Sequence, residues 1–340
     1  MAPQKGIEFM WKFLGLLNKR LIVAIPLMLT AGFLFGLWVE TGWLKSLIVP
    51  FTFLMVYPMM VTLKLRQVFE GGDGKAQLLT QLVNFAVIPF VAWGLGRWWF
   101  ADSPYLALGL LLAALVPTSG MTISWTGLAK GNLAAAVKMT VVGLVLGSLA
   151  TPFYVQGLLG ATVAIDLLKV VTQIVLIVFL PMLAGYLTQQ GLIRHYGRQV
   201  FMERLSPRFP GLSTVGVLGI VFIAMALKAK AIAAMPQLLL AISIPLLFLY
   251  LFNYLLSTVL GKLLLPRGDA IAMVYGTVMR NLSIALAVAI NAFGSAGSDA
   301  ALVISLAYVI QVQSAAWYVK FTDRIFGVPS PFDKAAKVAG

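Results

Sequence analysis

Cysteine is absent from this 340-residue sequence, and histidine occurs once. Without a thiol there is no disulfide, no thiolate metal site and no cysteine nucleophile. His195 stands by itself in a basic polar stretch, which leaves no histidine-built metal centre either. Acidic residues are scarce: eleven Asp and Glu against 25 Lys and Arg, a formal net charge of +14. No HExxH, GxSxG or aspartate pair supplies a nucleophile–base set, so the chain does not read as an enzyme and no cofactor is implied. A charged-then-apolar leader ending at a small-residue cleavage site is also missing, and no removable signal peptide is expected.

What is abundant is apolar. The chain is 61% hydrophobic and 11% charged, outside the range of soluble domains. About ten apolar spans can be counted, near 21–39, 44–62, 78–96, 105–128, 133–155, 166–188, 212–228, 234–260, 270–293 and 300–319. The basic residues flank these spans, which is a membrane-topology pattern and not a nucleic-acid surface. Eighteen gather on one set of span ends; only Lys45, Arg97, Lys169, Lys228 and Lys230 lie on the other. This bias predicts an all-α polytopic membrane protein of ten transmembrane helices in a prokaryotic inner membrane, both termini cytoplasmic, its surroundings the lipid bilayer.

Spans one to five and six to ten then have opposite orientations, as in an inverted 5+5 repeat. Residues 1–188 hold the first repeat plus span six, 189–211 a basic cytoplasmic link, 212–320 spans seven to ten, and 321–340 a cytoplasmic tail. Each half has an interrupted fourth member. In span four, Pro117 removes a backbone donor, Gly120 loosens the helix, and Thr118, Ser119 and Thr122 can satisfy the freed groups. In span nine the corresponding stretch carries Gly276, Arg280, Asn281 and Ser283. Two broken helices at matching places point to a midplane site in a secondary transporter.

Arg280 is the residue that most needs a partner. At about 1.5 Å per residue it lies on the order of 16 Å inside its span, near the middle of a hydrocarbon layer about 30 Å thick. An arginine there faces protein, water or an anion. Lys138, about five residues into span five, is a second interior cation. All eleven carboxylates fall in loops, termini or first turns, so the interior is expected to hold positive charge without fixed negative charge. That argues against carboxylate-mediated proton coupling and for an anionic cargo. Arg280 is the expected anchor, Lys138 a secondary charge, and Thr118, Ser119, Thr122, Asn281 and Ser283 hydrogen-bonding groups.

The same segments carry a family resemblance. Pro117 to Met139, with Leu128-Ala129-Lys130-Gly131-Asn132 closing span four, resembles the crossover helix of the bile acid/sodium symporter superfamily, which includes the Acr3-type arsenite permeases. Span nine resembles its second crossover helix, and Thr62-Leu63-Lys64-Leu65 is also typical. The resemblance implies a core of spans 3–5 and 8–10 that holds both crossed helices. It also implies a panel of spans 1, 2, 6 and 7, with substrate moving between the two. Sodium-coupled members place asparagine at Ile123, serine at Ala136, glutamate at Gly276 and glutamine at Arg280. Thr122, Thr140 and Asn84 remain of that constellation. The sodium sites therefore read as dismantled, with Arg280 and Lys138 in place of the sodium charges. Met121 and Trp125 match the arsenite branch, but its hallmark cysteine corresponds to Thr118. The expectation is a sodium-independent carrier of a small organic anion, with arsenite export or sodium-coupled symport as alternatives.

Overall fold

The computed structural model describes residues 11, 14–16, 20–63, 73–163, 166–294 and 296–328. Most of them are helical and none is in a strand, as expected where no water can satisfy backbone groups. In chain order the helices are α1 (Leu21–Trp38), α2 (Gly42–Val61, beginning as a 3₁₀ turn), α3 (Gly74–Trp99), α4 (Pro104–Leu115), α5 (Gly120–Leu128) and α6 (Leu133–Leu159). There follow α7 (Leu167–Tyr196), α8 (Phe209–Ala234), α9 (Gln237–Leu264), α10 (Arg267–Val278), α11 (Leu282–Phe293) and α12 (Gly297–Phe326). Among the described residues, eight helices are long and apolar enough to cross a membrane, and nine if the bent pair α4–α5 forms one span. A shorter apolar helix covers Val23–Trp38. Part of the Thr62–Leu65 motif and most of the tail lie outside the described residues.

Packing follows from residue size and burial. α1 presents Gly32 and Gly36, one turn apart, to α8. A Cβ at either would collide with the backbone carbonyl of Phe222 or Ala226, so this contact is backbone against backbone. α8 also runs along α2, and α7 packs on α2. A second set of contacts joins α3 to α4, α4 and α11 to α12, and α9 to α10. Inside this set, every residue from 270 to 290 is buried, so α10 and α11 are enclosed by protein and have no lipid-facing side. The outer helices show the opposite pattern: Leu240, Leu247, Leu251 and Leu255 of α9 are exposed, as expected of a lipid-facing surface. Of Trp43, Trp93, Trp98 and Trp99, whose places near span ends suggest interfacial anchors, Trp43, Trp98 and Trp99 are exposed near helix ends, whereas Trp93 is half-buried and donates to the Leu158 carbonyl (2.8 Å).

One side chain ties three elements together at the α10 end. Arg267 donates from Nη2 to Asp323 Oδ1 (2.6 Å), from Nη1 to the Lys130 carbonyl (2.9 Å) and from Nε to the Gly327 carbonyl (2.7 Å). Asn132 N bonds the Gly268 carbonyl (2.9 Å), and its side chain bonds Asp269 (2.7 Å). Arg267→Ala is expected to cost about 2 kcal/mol, the scale of hydrogen bonds to charged groups. A thermal melt reads this directly, and an unchanged midpoint would remove Arg267 as a structural tie.

Candidate functional site

The first break spans residues 116–119 and bends the chain by 59° between α4 and α5. Its cause is local. Proline disfavours helix at the residue before it, and Val116 sits at φ −97°, ψ 87°. Thr118 is left-handed at φ +62°, a strained conformation for a β-branched residue. Its hydroxyl holds it there by donating toward the carbonyls of Pro117 (2.6 Å) and Thr140 (3.2 Å). Ser119 then starts α5. Its hydroxyl accepts from Met121 N (3.2 Å), and its own N–H donates to Thr122 Oγ1 (3.2 Å).

The second break, residues 279–281, contains neither proline nor glycine, and neighbouring side chains hold it open. Helix ends leave carbonyls without partners, and each of the last four of α10 finds one. Tyr275 O accepts from Met279 N (3.0 Å) and Thr122 Oγ1 (3.4 Å), and Gly276 O from Asn84 Nδ2 (3.0 Å). Thr277 O accepts from Asn253 Nδ2 (2.9 Å), and Val278 O from Arg280 N (3.0 Å). Gln311 of α12 then reads the Arg280 backbone from both sides. Its Oε1 accepts from Arg280 N (2.8 Å) and its Nε2 donates to Arg280 O (3.1 Å). Tyr250 donates to the same Oε1 (2.9 Å). Asn84, which bonds Gly276, lies in a π-helical turn of α3 (Val83–Val87), an insertion common at functional sites.

The two breaks touch: Asn281 N donates to the Val116 carbonyl at 2.8 Å. Against this crossing lies a cavity of about 90 Å³, room for roughly half a dozen waters or one small ion. Ser119, Gly120 and Asn281 line it, so the N-terminal ends of α5 and α11 both abut one space. Helix N-termini favour negative charge. The other walls come from Met59 and Met60 of α2 and Thr140 and Val141 of α6.

Arg280, adjacent to Asn281, is 2% exposed, and its Nη1 and Nη2 have no hydrogen-bond partner among the described residues. No described carboxylate pairs with it. Two unpartnered guanidinium nitrogens at this depth are costly unless an acceptor comes to them.

Three expectations are corrected. The interior does hold a fixed negative charge: Asp73 Oδ1 lies 2.6 Å from Lys138 Nζ, with side chains only 8% and 6% exposed. α3 begins at Gly74, earlier than the apolar pattern suggested, which brings Asp73 from the loop to a helix N-terminus facing α6. A buried ammonium without a counter-charge is far less stable than a paired one. Lys138 is thus already paired with a carboxylate and buried. Second, Gly276 does not break a helix. It is helical within α10, and a Cβ there would crowd Met139 Sδ (2.8 Å) and Thr80 (3.1 Å), so it allows close packing. Third, several expected hydrogen-bonding groups are occupied internally: Thr118 and Thr122 as above, and Ser283 by the Tyr308 hydroxyl. Of the residues singled out from sequence, Thr62, Leu63, Ser119, Gly120, Ile123, Thr140 and Asn281 line the cavity, with Pro117 shaping the break and Arg280 next to Asn281. Sequence reading put Asp73 at a span end, where it is, but missed its burial against Lys138, and the part played by Gln311 has no local sequence signal.

Comparison with known proteins bears on the family. Residues 49–235 match the model of the sodium bile acid symporter family. The chain is 27% identical to Arsenical-resistance protein Acr3 of Alkaliphilus metalliredigens over 286 residues, covering 80% of this chain and 79% of that protein. It is 27% identical over 219 residues to protein YbaS of Bacillus subtilis, covering 64% of this chain and 70% of that one. A probable sodium/metabolite cotransporter, the chloroplastic BASS1 of Arabidopsis thaliana, is 27% identical over 242 residues, covering 67% and 59%. The matched region exceeds half of the chain and takes in the first break: the protein belongs to the sodium bile acid symporter family, whose members are membrane transporters and not enzymes.

Proposed function

We propose that the protein is a secondary transporter that carries a small organic anion by alternating access, without sodium. In this reading ten spans form an inverted 5+5 repeat, with both termini cytoplasmic. The α3–α6 and α9–α12 helices form the core, and α1, α2, α7 and α8 form the panel that closes on it. The cargo sits where the N-termini of α5 and α11 meet, hydrogen-bonded by Ser119 and Asn281. Arg280 supplies the full positive charge from one residue away.

The observation that carries this reading is the buried Arg280 guanidinium, which has two unpartnered nitrogens and no described carboxylate beside it. Arginine's planar fork suits a carboxylate or oxyanion. The family resemblance adds that the positions of the sodium-binding glutamate, asparagine and one serine are here Gly276, Ile123 and Ala136. A tethered cation at residue 280 takes over the charge that sodium would bring. Asp73–Lys138, as a neutral pair, adds nothing to the net charge at the crossing.

Arsenite export is the second reading, favoured by the similarity to Arsenical-resistance protein Acr3 of Alkaliphilus metalliredigens. Arsenite is largely neutral at pH 7 and seeks thiols, and a chain with no cysteine offers it only hydroxyls and amides. A thermal-shift panel on purified protein separates the two. Organic carboxylates and sulfonates are expected to stabilise the fold equally in sodium and potassium, and arsenite is not. Stabilisation by arsenite alone would reverse the assignment.

A further inference from the structure

α12 runs for 30 residues, about 45 Å, which is longer than a hydrocarbon layer of about 30 Å is thick. The exposed cations of its last turns, Lys320 and Arg324, place that end at the level of the phospholipid headgroups. Trp317, Lys320, Phe321 and Arg324 share one face of the helix by their spacing of three and four residues. All four are exposed, Trp317 by 60% and Phe321 by 45%. Other faces are closed: Gln311, Ala315 and Thr322 are buried, and Tyr318 bonds Thr258 of α9. Lys320 Nζ stands 4.6 Å from the centroid of the Trp317 ring, a cation–π contact that holds the ammonium over the indole. Neither Lys320 nor Arg324 pairs with a carboxylate among the described residues. The neighbouring acid, Asp323, is already held by Arg267 Nη2 at 2.6 Å.

We propose that this stripe is a binding site for an anionic phospholipid, its phosphate bridging Lys320 and Arg324 and its acyl chains lying along Trp317 and Phe321. A lone interfacial tryptophan only anchors a span. Here two rings and two cations lie within about 10 Å along one face, with the indole deepest and the guanidinium outermost. An anionic headgroup brings no ammonium of its own, so its charge is left for the two side chains to meet. The site also bears on the second helix break. α12 grips both ends of α10: Asp323 pairs with Arg267 at its start, and Gln311 bonds the Arg280 backbone just past its end. A headgroup that pins the stripe steadies the helix that holds this break, whatever the cargo.

The test places the full chain in nanodiscs of phosphatidylcholine with increasing phosphatidylglycerol, read by thermal melting and by native mass spectrometry of the lipid retained. Phosphatidylglycerol is expected to raise the wild-type midpoint. Lys320→Gln/Arg324→Gln should weaken its binding at least about tenfold, yet melt with the wild type in pure phosphatidylcholine. Lys320→Arg and Arg324→Lys keep the charge and should bind within about threefold of the wild type. Arg194→Gln/Arg198→Gln removes two other exposed cations and should also stay within about threefold. Inorganic phosphate should not shift the midpoint. An equal loss in both double variants would mean attraction by net charge alone. That result, a Lys320→Gln/Arg324→Gln protein that is destabilised equally in both lipids, no effect of phosphatidylglycerol on the wild type, or an equal effect of inorganic phosphate would overturn the proposal.

Discussion

Asp73→Asn is expected to destabilise the protein by about 3–5 kcal/mol, because it removes a carboxylate that pairs with the buried Lys138 ammonium. The pair is 2.6 Å apart, and both side chains are more than nine-tenths buried. Gln77 donates to the other oxygen of Asp73 at 3.0 Å and also to the Ala135 carbonyl at 3.0 Å, so the acid is fixed from two sides. Asparagine keeps the shape and the Gln77 contact but loses the charge. Removing both charges is a different matter, since a buried ion pair replaced by neutral groups of similar volume is often tolerated. The Asp73→Asn/Lys138→Met protein should therefore melt well above Asp73→Asn alone. If the double substitution melts no higher than the single one, the ion pair is not what holds α3 against α6.

Arg280→Gln is expected to act in two opposite directions. It removes an unpaired buried charge, so the ligand-free protein should melt at or above the wild-type temperature. The backbone bonds to Gln311 do not involve the side chain and should persist. Anion affinity should fall by about 1.5–3 kcal/mol, the worth of a charge-assisted hydrogen bond, which is a loss of roughly 10- to 150-fold. Arg280→Lys keeps the charge but loses the planar fork and should fall between the two. A more stable protein that binds its anion less well is the signature of a group kept for cargo and not for folding. Equal affinity in a folded Arg280→Gln protein would exclude residue 280 as the anchor.

Much of the fold was legible in the sequence because the bilayer imposes a length and a polarity on every crossing. Among the described residues eight helices, or nine with the bent pair α4–α5, are long and apolar enough to cross a membrane where ten spans were expected, and Pro117 marked the first break. The second break was visible only as an unusual arginine, since Met279, Arg280 and Asn281 include no helix breaker. It is held open by Asn84, Asn253 and Gln311, which come from three other helices, and no local pattern reveals such long-range partners. The burial of Asp73 against Lys138 was missed for a related reason. Apolar periodicity locates the middle of a span well and its ends poorly, and a shift of about one turn decided whether this carboxylate faced water or Lys138. Gly276 suggested a hinge by its type, but only packing reveals that Met139 and Thr80 press on it. Thr118, read both as satisfying freed backbone groups and as a hydrogen bond for cargo, is engaged in the first way, by the carbonyls of Pro117 and Thr140.

The claim at the centre of this account is that the charge at the crossing of the two broken helices belongs to the protein and is matched by the cargo, with no sodium between them. It is tested most directly by uptake of an anionic substrate into proteoliposomes, titrated with sodium from zero upward against choline at constant ionic strength. The account predicts a flat line, with full transport in the absence of sodium. A steep, saturable rise with sodium would contradict it.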